Sequence, residues 1–475
     1  MLPLTDQRIT VMGLGHFGGG LGVTRWLVEQ GADVLVTDAA PEEKLAEALA
    51  ELRPLIVSGK VTTRLGGHNV SDFTDTDLVI ANPAVPTPWD NRFLRSASAA
   101  GVPTTTEIRL LAERLPNRAN TIGVTGSAGK STTTAMIAHA LRRIAGEGNV
   151  VMGGNIGGSL LAELPRITPE TWVVLELSSA MLHWLDAGAG YADAPGFSPR
   201  VAVCTNIAPN HIDWHASFEH YQRSKRVITA HQRAGDALVL ASSDPAAPPG
   251  NWTVNPGVGI VHVKEPAWYA QRGLDAALKL PGQHNRTNAW TAAEGVAALL
   301  NPSGDEAERA RLMHDALQAL ADFPGLAHRL CQVGTVRTPR GEAHAFNDSK
   351  STTPESAAMA LAALGEDERF GAARVHLIAG GYDKKVDLSP MIRPASRCAG
   401  VYTIGATGPA IAAGITAAGG RAFDCATLEA AVTAARAHMN PGDALLLSPG
   451  CASWDQFTHF EKRGEMFVDL ATKSS

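Results

Sequence analysis

The stretch that most restricts what this chain can become runs from Thr121 to Thr134, TIGVTGSAGKSTTT. The β-branched and apolar run Thr121–Val124 reads as a short buried strand, Gly126-Ser127-Ala128-Gly129 as a tight turn, and Lys130 as the start of a helix with apolar positions at Met136, Ile137, Ala140, Leu141 and Ile144. Strand, glycine turn and helix in that order make a polyphosphate cradle. Backbone N–H groups point inward, the helix N-terminus is partly positive, a lysine adds a point charge, and a hydroxyl meets Mg²⁺. Lys130 and Ser131 supply the last two, while Val124 stands where the strict eight-residue pattern has glycine. The competing reading, a glycine turn with an incidental lysine, does not account for the strand–turn–helix context.

A chain of 475 residues exceeds one core and suggests about three domains. With 45% hydrophobic and 19% charged residues and 47 glycines, the expected class is a compact, turn-rich α/β enzyme. The net charge of −6, without a basic stripe, argues against nucleic acid and anionic membranes as partners. The opening MLPLTDQRIT has no leader character and no apolar run approaches a membrane span, so a cytoplasmic protein without stable membrane insertion is expected; no sequence feature speaks to oligomeric state, and a monomer is the default expectation. Five cysteines without a C-x-x-C pair speak against disulfides and structural zinc.

In chain order, a strand at Arg8–Gly13 leads into Gly13-x-Gly15-x-x-Gly18, a helix to about Gln30, a strand at Asp33–Thr37, and Asp38 about 20 residues past the last glycine. This satisfies the dinucleotide fingerprint, although a βαβ unit using its glycines for packing alone would look similar. Asp77–Ala81 is another strand, with the rigid loop Asn82–Pro86 at its end; Pro116-Asn117-Arg118 marks the first boundary, giving domains 1–117 and 118–325. Beyond the phosphate loop, VMGGNIGG ending at Gly158 reads as a second glycine-rich turn carrying Asn155. Trp172–Leu177 is an apolar run containing Glu176, and a carboxylate at the end of a buried strand is costly unless it meets a cation, here a second Mg²⁺ contact, or backbone N–H groups. A strand at Val201–Ile207 precedes His211, Asp213 and His215, three ligand-type side chains at spacing two that suit metal or phosphate, whereas a lone His at such a position is more often a hydrogen-bonded structural residue. Lys225, taken by itself, is a solvated helix lysine. His284 and Asn288 lie one helical turn apart on a helix. A turn-rich break at 322–329 follows a helix at 305–321 and opens the domain 326–475, whose strands near His344–Phe346, Val375–Ala379, Val401–Ile404 and Ala444–Leu447 alternate with loops bearing Lys350, Lys384 and Ser453. Such loops suit a small dianion; plain solvation is the alternative.

TGSAGKST at 125–132, GGNIG at 153–157, LELSS at 175–179, the N-H-x-D segment at 210–213, Lys225, GQHNRTN at 282–288, NDSKST at 347–352, GGYDK at 380–384 and SPGCASWDQF at 448–457 together resemble, collinearly over almost the whole chain, the Mur ligases of peptidoglycan synthesis. Folylpolyglutamate synthases share the ATPase core but lack a UDP-binding domain such as residues 1–115 form. The resemblance implies an α/β protein of three domains: a Rossmann-like one for the UDP group, a central P-loop ATPase with a mostly parallel sheet, and a C-terminal Rossmann-like one for the amino acid. It implies ATP at Gly126, Ser127, Ala128, Gly129, Lys130, Ser131, Thr132, Asn288, Arg329 and Asp348, with Lys130 on the β- and γ-phosphates. It also implies two Mg²⁺ ions, with Ser131 and Glu176 at the first, His211 at the second, and Lys225 carbamylated by CO₂ to help bind metal. Gly15, Gly18, Asp38 and Asn155 match the UDP-sugar side, and Lys350, Thr352, Lys384, Ser453 and Phe460 the incoming glutamate. The implied reaction adds glutamate, taken as the D isomer, to UDP-N-acetylmuramoyl-L-alanine through an acyl phosphate.

The chain departs from the family pattern at Ala128 for Asn, Ala180-Met181 for Phe-Gln and Asn210 for Asp, and in a first glycine loop about two residues longer, which leaves the uracil contacts open. Three rivals remain. A ligase for L-glutamate or another amino acid keeps the mechanism; a nicotinamide-dependent oxidoreductase leaves Glu176 and Lys225 without work; a non-catalytic nucleotide binder would not need Lys130.

Overall fold

The computed structural model describes residues 3–15, 19–241, 252–264, 278, 280–367 and 369–473. Three sheets account for the strands. The first contains β1 (Arg8–Met12), β2 (Asp33–Asp38), β3 (Val61–Leu65), β4 (Leu78–Ala81) and β5 (Thr104–Thr105), all parallel, in the order β3-β2-β1-β4-β5. The second contains β6 (Thr121–Thr125), β7 (Val150–Gly154), β8 (Trp172–Glu176), β9 (Val201–Cys204), β10 (Ala237–Ala241) and β11 (Gly259–Val263), all parallel, in the order β11-β10-β9-β6-β8-β7. The third contains β12 (Cys331–Thr338), β13 (Gly341–Asn347), β14 (Val375–Gly380), β15 (Gly400–Ile404), β16 (Ala422–Ala426) and β17 (Ala444–Leu447), in the order β12-β13-β17-β14-β15-β16, with only β12 antiparallel.

Helices cover both faces of a parallel sheet, so its central strands carry no alternation. Leu-Val-Ile-Ala in β4, Val-Ala-Val-Cys in β9 and Ala-Leu-Leu-Leu in β17 are buried at every position. Side-chain caps fix several helix starts: Ser217 accepts from the His220 N–H before the helix Phe218–Ala230, and Thr353 from the Ser356 N–H before Pro354–Gly365. The chain packs as two compact units, one of residues 1–265 and 288–319, holding the first two sheets, and one of residues 266–287 and 320–475, holding the third. In the first unit an apolar core runs from Val11 and Leu27 to Leu161 and Leu175, and a smaller one gathers Met12, Phe73, Phe93 and Trp184.

The strands expected at 8–13, 33–37, 77–81, 121–124, 172–177, 375–379, 401–404 and 444–447 form within a residue or two of those bounds. Two readings are corrected. The stretch 150–154 is the edge strand β7 and not the start of a turn, and the strand from Val201 ends at Cys204, leaving 205–211 as loop. The strand expected near 344–346 forms as part of β13, the second strand of a hairpin with β12.

Candidate active site

The strand order β9-β6-β8-β7 sets four C-terminal ends side by side: the loop 205–211, the phosphate loop, Glu176 and Asn155 leave adjacent parallel strands. That edge is where open α/β sheets bind ligands. Gly126 (φ 147°) and Gly129 (φ 80°) occupy conformations that favour glycine, and a Cβ on Gly126 would lie 1.9 Å from Thr205 Oγ1. The turn is laced to the next loop. Asn206 Oδ1 accepts from the N–H groups of Ser127 (3.1 Å) and Ala128 (2.9 Å), Thr205 Oγ1 donates to Ala128 O (2.6 Å), and Ser127 Oγ lies 2.7 Å from the Tyr221 hydroxyl. Lys130 Nζ folds back to Ser127 O at 3.3 Å. Ser131 is buried in the first helical turn beside Thr132, and Thr133 Oγ1 donates to Asn288 Oδ1 at 3.3 Å.

Glu176 ends β8 nearly inaccessible. Its Oε1 accepts from Asn155 Nδ2 at 2.8 Å; its Oε2 is buried with no hydrogen-bond partner. A buried carboxylate oxygen left open beside a phosphate loop fits a cation. Among the described residues no three His, Cys, Asp or Glu side chains are grouped to hold a metal by themselves. Mg²⁺ commonly takes one or two protein ligands plus phosphate oxygens and water, which suits this sparse donor set. His211 opens the short helix Ile212–His215 in a left-handed conformation (φ 51°), exposed, its imidazole held below the ordinary pKa by loss of solvation and by the charges of Lys130 and Lys225.

Lys225 is the largest departure from what the residues alone suggest. It is 1% exposed, and Nζ donates to Gly126 O (2.9 Å) and Thr125 Oγ1 (3.3 Å), beside the Tyr221 ring. Burial first, and the Lys130 charge second, bring its pKa down to about 7, so a large neutral fraction exists at physiological pH.

In the first sheet, Gly13 and Gly15 follow β1 and Asp38 ends β2. The Asp38 carboxylate accepts from the N–H groups of Leu14 (2.8 Å), Gly15 (3.4 Å) and Ala40 (2.8 Å), so it ties the loop together as well as facing it. Gly18 lies outside the described residues.

The second unit makes its own cluster. Loops after the adjacent strands β13, β17 and β14 carry Asp348, Lys350 and Thr352, then Ser453, then Lys384. Both lysines are exposed. Lys350 Nζ sits 5.3 Å from the Phe460 ring centroid, and Lys384 Nζ 5.3 Å from that of Trp454 and 3.5 Å from Thr352 O. Ser453 is buried, and Arg329 is half-buried in the turn before β12. Asp348 accepts from Ser448 Oγ (2.7 Å) and the Leu330 N–H (3.1 Å), yet burial raises its pKa to about 7. Buried Arg463 braces the same loops, donating to Ser349 O (2.9 Å) and Cys451 O (3.1 Å). Reading the residues in order missed Asn206, Tyr221 and Arg463 as organisers, since their contacts lie far away in the chain.

Comparison with known proteins gives three family-model matches: "Mur ligase MurD-like, N-terminal domain" over residues 7–106, "Mur ligase middle domain" over 124–263, and "Mur ligase, glutamate ligase domain" over 328–451. A "UDP-N-acetylmuramoylalanine--D-glutamate ligase" of Anaeromyxobacter dehalogenans (strain 2CP-C) is 35% identical over 503 residues, covering 99% of each chain; one of Roseiflexus sp. (strain RS-1) is 34% identical, covering 98% of each. Among solved structures, the UDP-N-acetylmuramate-alanine ligase MurC of Thermotoga maritima superposes with a TM-score of 0.55 at 19% identity over 98% of this chain and 99% of that one. The MurF ligase of Thermotoga maritima, solved with ADP, gives 0.52 at 14% identity over 98% and 96%. These two speak to the fold.

Proposed function

The chain belongs to the Mur ligase family, and from that premise we propose that it joins D-glutamate to UDP-N-acetylmuramoyl-L-alanine, cleaving ATP to ADP and phosphate, in the cytoplasm during peptidoglycan synthesis. The single observation that carries the chemistry is the edge where Lys130, Ser131, the open Oε2 of Glu176 and buried Lys225 converge on one glycine turn. Residues 1–117 form the UDP-binding domain, 118–325 the ATP-binding domain and 326–475 the glutamate-binding domain. No helix among the described residues is long and apolar enough to cross a membrane.

The muramoyl-alanine carboxylate attacks the γ-phosphorus; the new O–P bond forms as the bond to the β-phosphate oxygen breaks and ADP leaves. Lys130 turns from Ser127 O to the phosphates and offsets charge that otherwise repels the nucleophile. The amides of residues 126 to 132 cradle the polyphosphate, and Asn288, Arg329 and Asp348 hold the nucleoside. Gly15, Gly18, Asp38 and Asn155 orient the nucleotide-sugar. Lys350, Thr352, Lys384, Ser453 and Phe460 present glutamate so that its amine attacks the acyl carbon as phosphate leaves. Ser131, Glu176 and His211 are the residues to hold two Mg²⁺ ions, which supply Lewis-acid neutralisation of the phosphoryl oxygens. Lys225, neutral in part near pH 7, is the amine to take up CO₂; its carbamate adds an anionic oxygen pair beside the turn.

The test is phosphate release by the purified protein with Mg-ATP, bicarbonate and UDP-N-acetylmuramoyl-L-alanine, with D-glutamate, L-glutamate or no amino acid in parallel. Release that needs both the nucleotide-sugar and D-glutamate is the expected result. Dependence on L-glutamate moves the specificity, and silence in every mixture overturns the activity.

A further inference from the structure

Ile212–His215 is a four-residue helix bounded by two non-glycine residues in the left-handed region, His211 at φ 51° and Ala216 at φ 61°. Such a turn persists only where its surroundings over-determine it. Two anchors do so here. On one side, His215 Nε2 lies 2.9 Å from Ser179 Oγ, three residues past Glu176, and its Nδ1 lies 2.8 Å from His220 Nδ1. On the other, Trp214 is buried, its Nε1–H donates to Pro83 O at 2.9 Å, and its own carbonyl accepts from the Thr87 N–H at 3.1 Å. Pro83 and Thr87 belong to the loop after β4 of the first sheet, and Thr87 is itself at φ 41°. The Trp214 ring is walled by Trp89 and His183, at centroid distances of 5.8 and 5.6 Å, and lies over His220. Both partners and the turn lie in one compact unit.

Resting on the reading of His211 as a metal-side residue, we propose that Trp214 is its positioning residue: Trp214 staples the His211–His215 turn to the 83–87 loop of the nucleotide-sugar domain, so that the loop's conformation sets where His211 sits. A buried tryptophan ordinarily gives its N–H to some partner; this one gives it to the backbone of the 83–87 loop, whose Thr87 N–H also bonds the Trp214 carbonyl, so the turn and the loop are held together at two points. The loop leaves β4, beside β1 with its glycine turn, so whatever rearranges Pro83 or Thr87 moves the backbone that carries His211.

The test uses the full chain with a non-hydrolysable ATP analogue and Mn²⁺ in place of Mg²⁺, counting bound Mn²⁺ by electron paramagnetic resonance. His211→Ala defines which Mn²⁺ site depends on the imidazole. Trp214→Phe keeps an aromatic ring and removes the Nε1–H donor; it is expected to weaken that same site about 10-fold, as loss of an outer partner of a metal ligand does, and to leave the other site unchanged. Trp89→Ala, at a 43% exposed position, trims the wall without opening the core and is expected to weaken the site by less. It decides the matter if Trp214→Phe does not fold. Unchanged Mn²⁺ affinities in the folded Trp variants, with one site lost in His211→Ala, overturn the proposal alone. Two intact sites in His211→Ala overturn the reading of His211 and the proposal with it.

Discussion

Asn155, proposed above to orient the nucleotide-sugar, also has its amide on the one satisfied oxygen of Glu176. A side chain that orients a metal-binding carboxylate is worth roughly 10- to 100-fold in metal affinity or activity. Asn155→Ala is therefore expected to raise the Mg²⁺ concentration for half-maximal phosphate release by that order at saturating nucleotide-sugar. A change confined to the KM for the nucleotide-sugar would leave Asn155 as a substrate contact only. Glu176 was legible in the sequence because a carboxylate closing an apolar strand is a visible anomaly. Lys225 was not: a lysine among Tyr, Gln, Arg and Ser on a helix looks solvated, and only the docking of Phe218–Ala230 beneath the phosphate loop buries it. Asn206 and Tyr221 were hidden for the same reason, since each acts on a turn some 80 to 95 residues away in the chain.

At the scale of elements, legibility followed burial. Strands apolar at every position, such as β4, β9 and β17, were readable, whereas β3 (Val-Thr-Thr-Arg-Leu), exposed through most of its length, offers neither an apolar run nor a clean alternation. Edge strand β7 was masked by its glycines. At Gly153 a Cβ would lie 2.4 Å from Leu160 Cγ, so the residue that reads as a turn former is there for close packing. The lengthened first glycine loop poses the same question for Gly19 and Gly20, which open the helix Gly19–Glu29. A Cβ on Gly20 would stand 2.4 Å from the carbonyl oxygens of Gly13 and Leu14, while one on Gly19 meets nothing within 4 Å. Gly20→Ala should cost about 1–3 kcal/mol by forcing the helix off the turn that follows β1, and Gly19→Ala should be neutral or slightly stabilising because alanine restricts the unfolded chain. Thermal melts of the two variants check this; equal losses would mean that the close approach of helix and turn is not what glycine is for here.

Among the buried groups of the described residues, Asp348 in one compact unit and Lys225 in the other respond to pH in opposite directions. Asp348 in the second unit is raised from 3.8 to about 7 by burial, so between those values the folded form binds a proton that the unfolded chain has released; its contribution is full below pH 4 and is lost as pH rises to 7. Lys225 in the first unit is lowered from 10.5 to about 7, so between those values the unfolded chain holds the extra proton; stability rises with pH across that window and is flat below it. In buffer free of metal and bicarbonate, which keeps Lys225 an unmodified amine, calorimetry of the full chain should show a transition whose midpoint falls from pH 4 to 7 and another whose midpoint gains from pH 7 upward. Asp348→Asn should make the fall between pH 4 and 7 shallower and leave the alkaline gain unchanged, and Lys225→Met the reverse. The slope is the quantity to compare, because Lys225→Met also loses the hydrogen bonds to Gly126 and Thr125 and shifts the midpoint at every pH. If each variant kept both slopes, the pH response would lie elsewhere, and Lys225 would not be the partly neutral amine that CO₂ uptake near pH 7 requires.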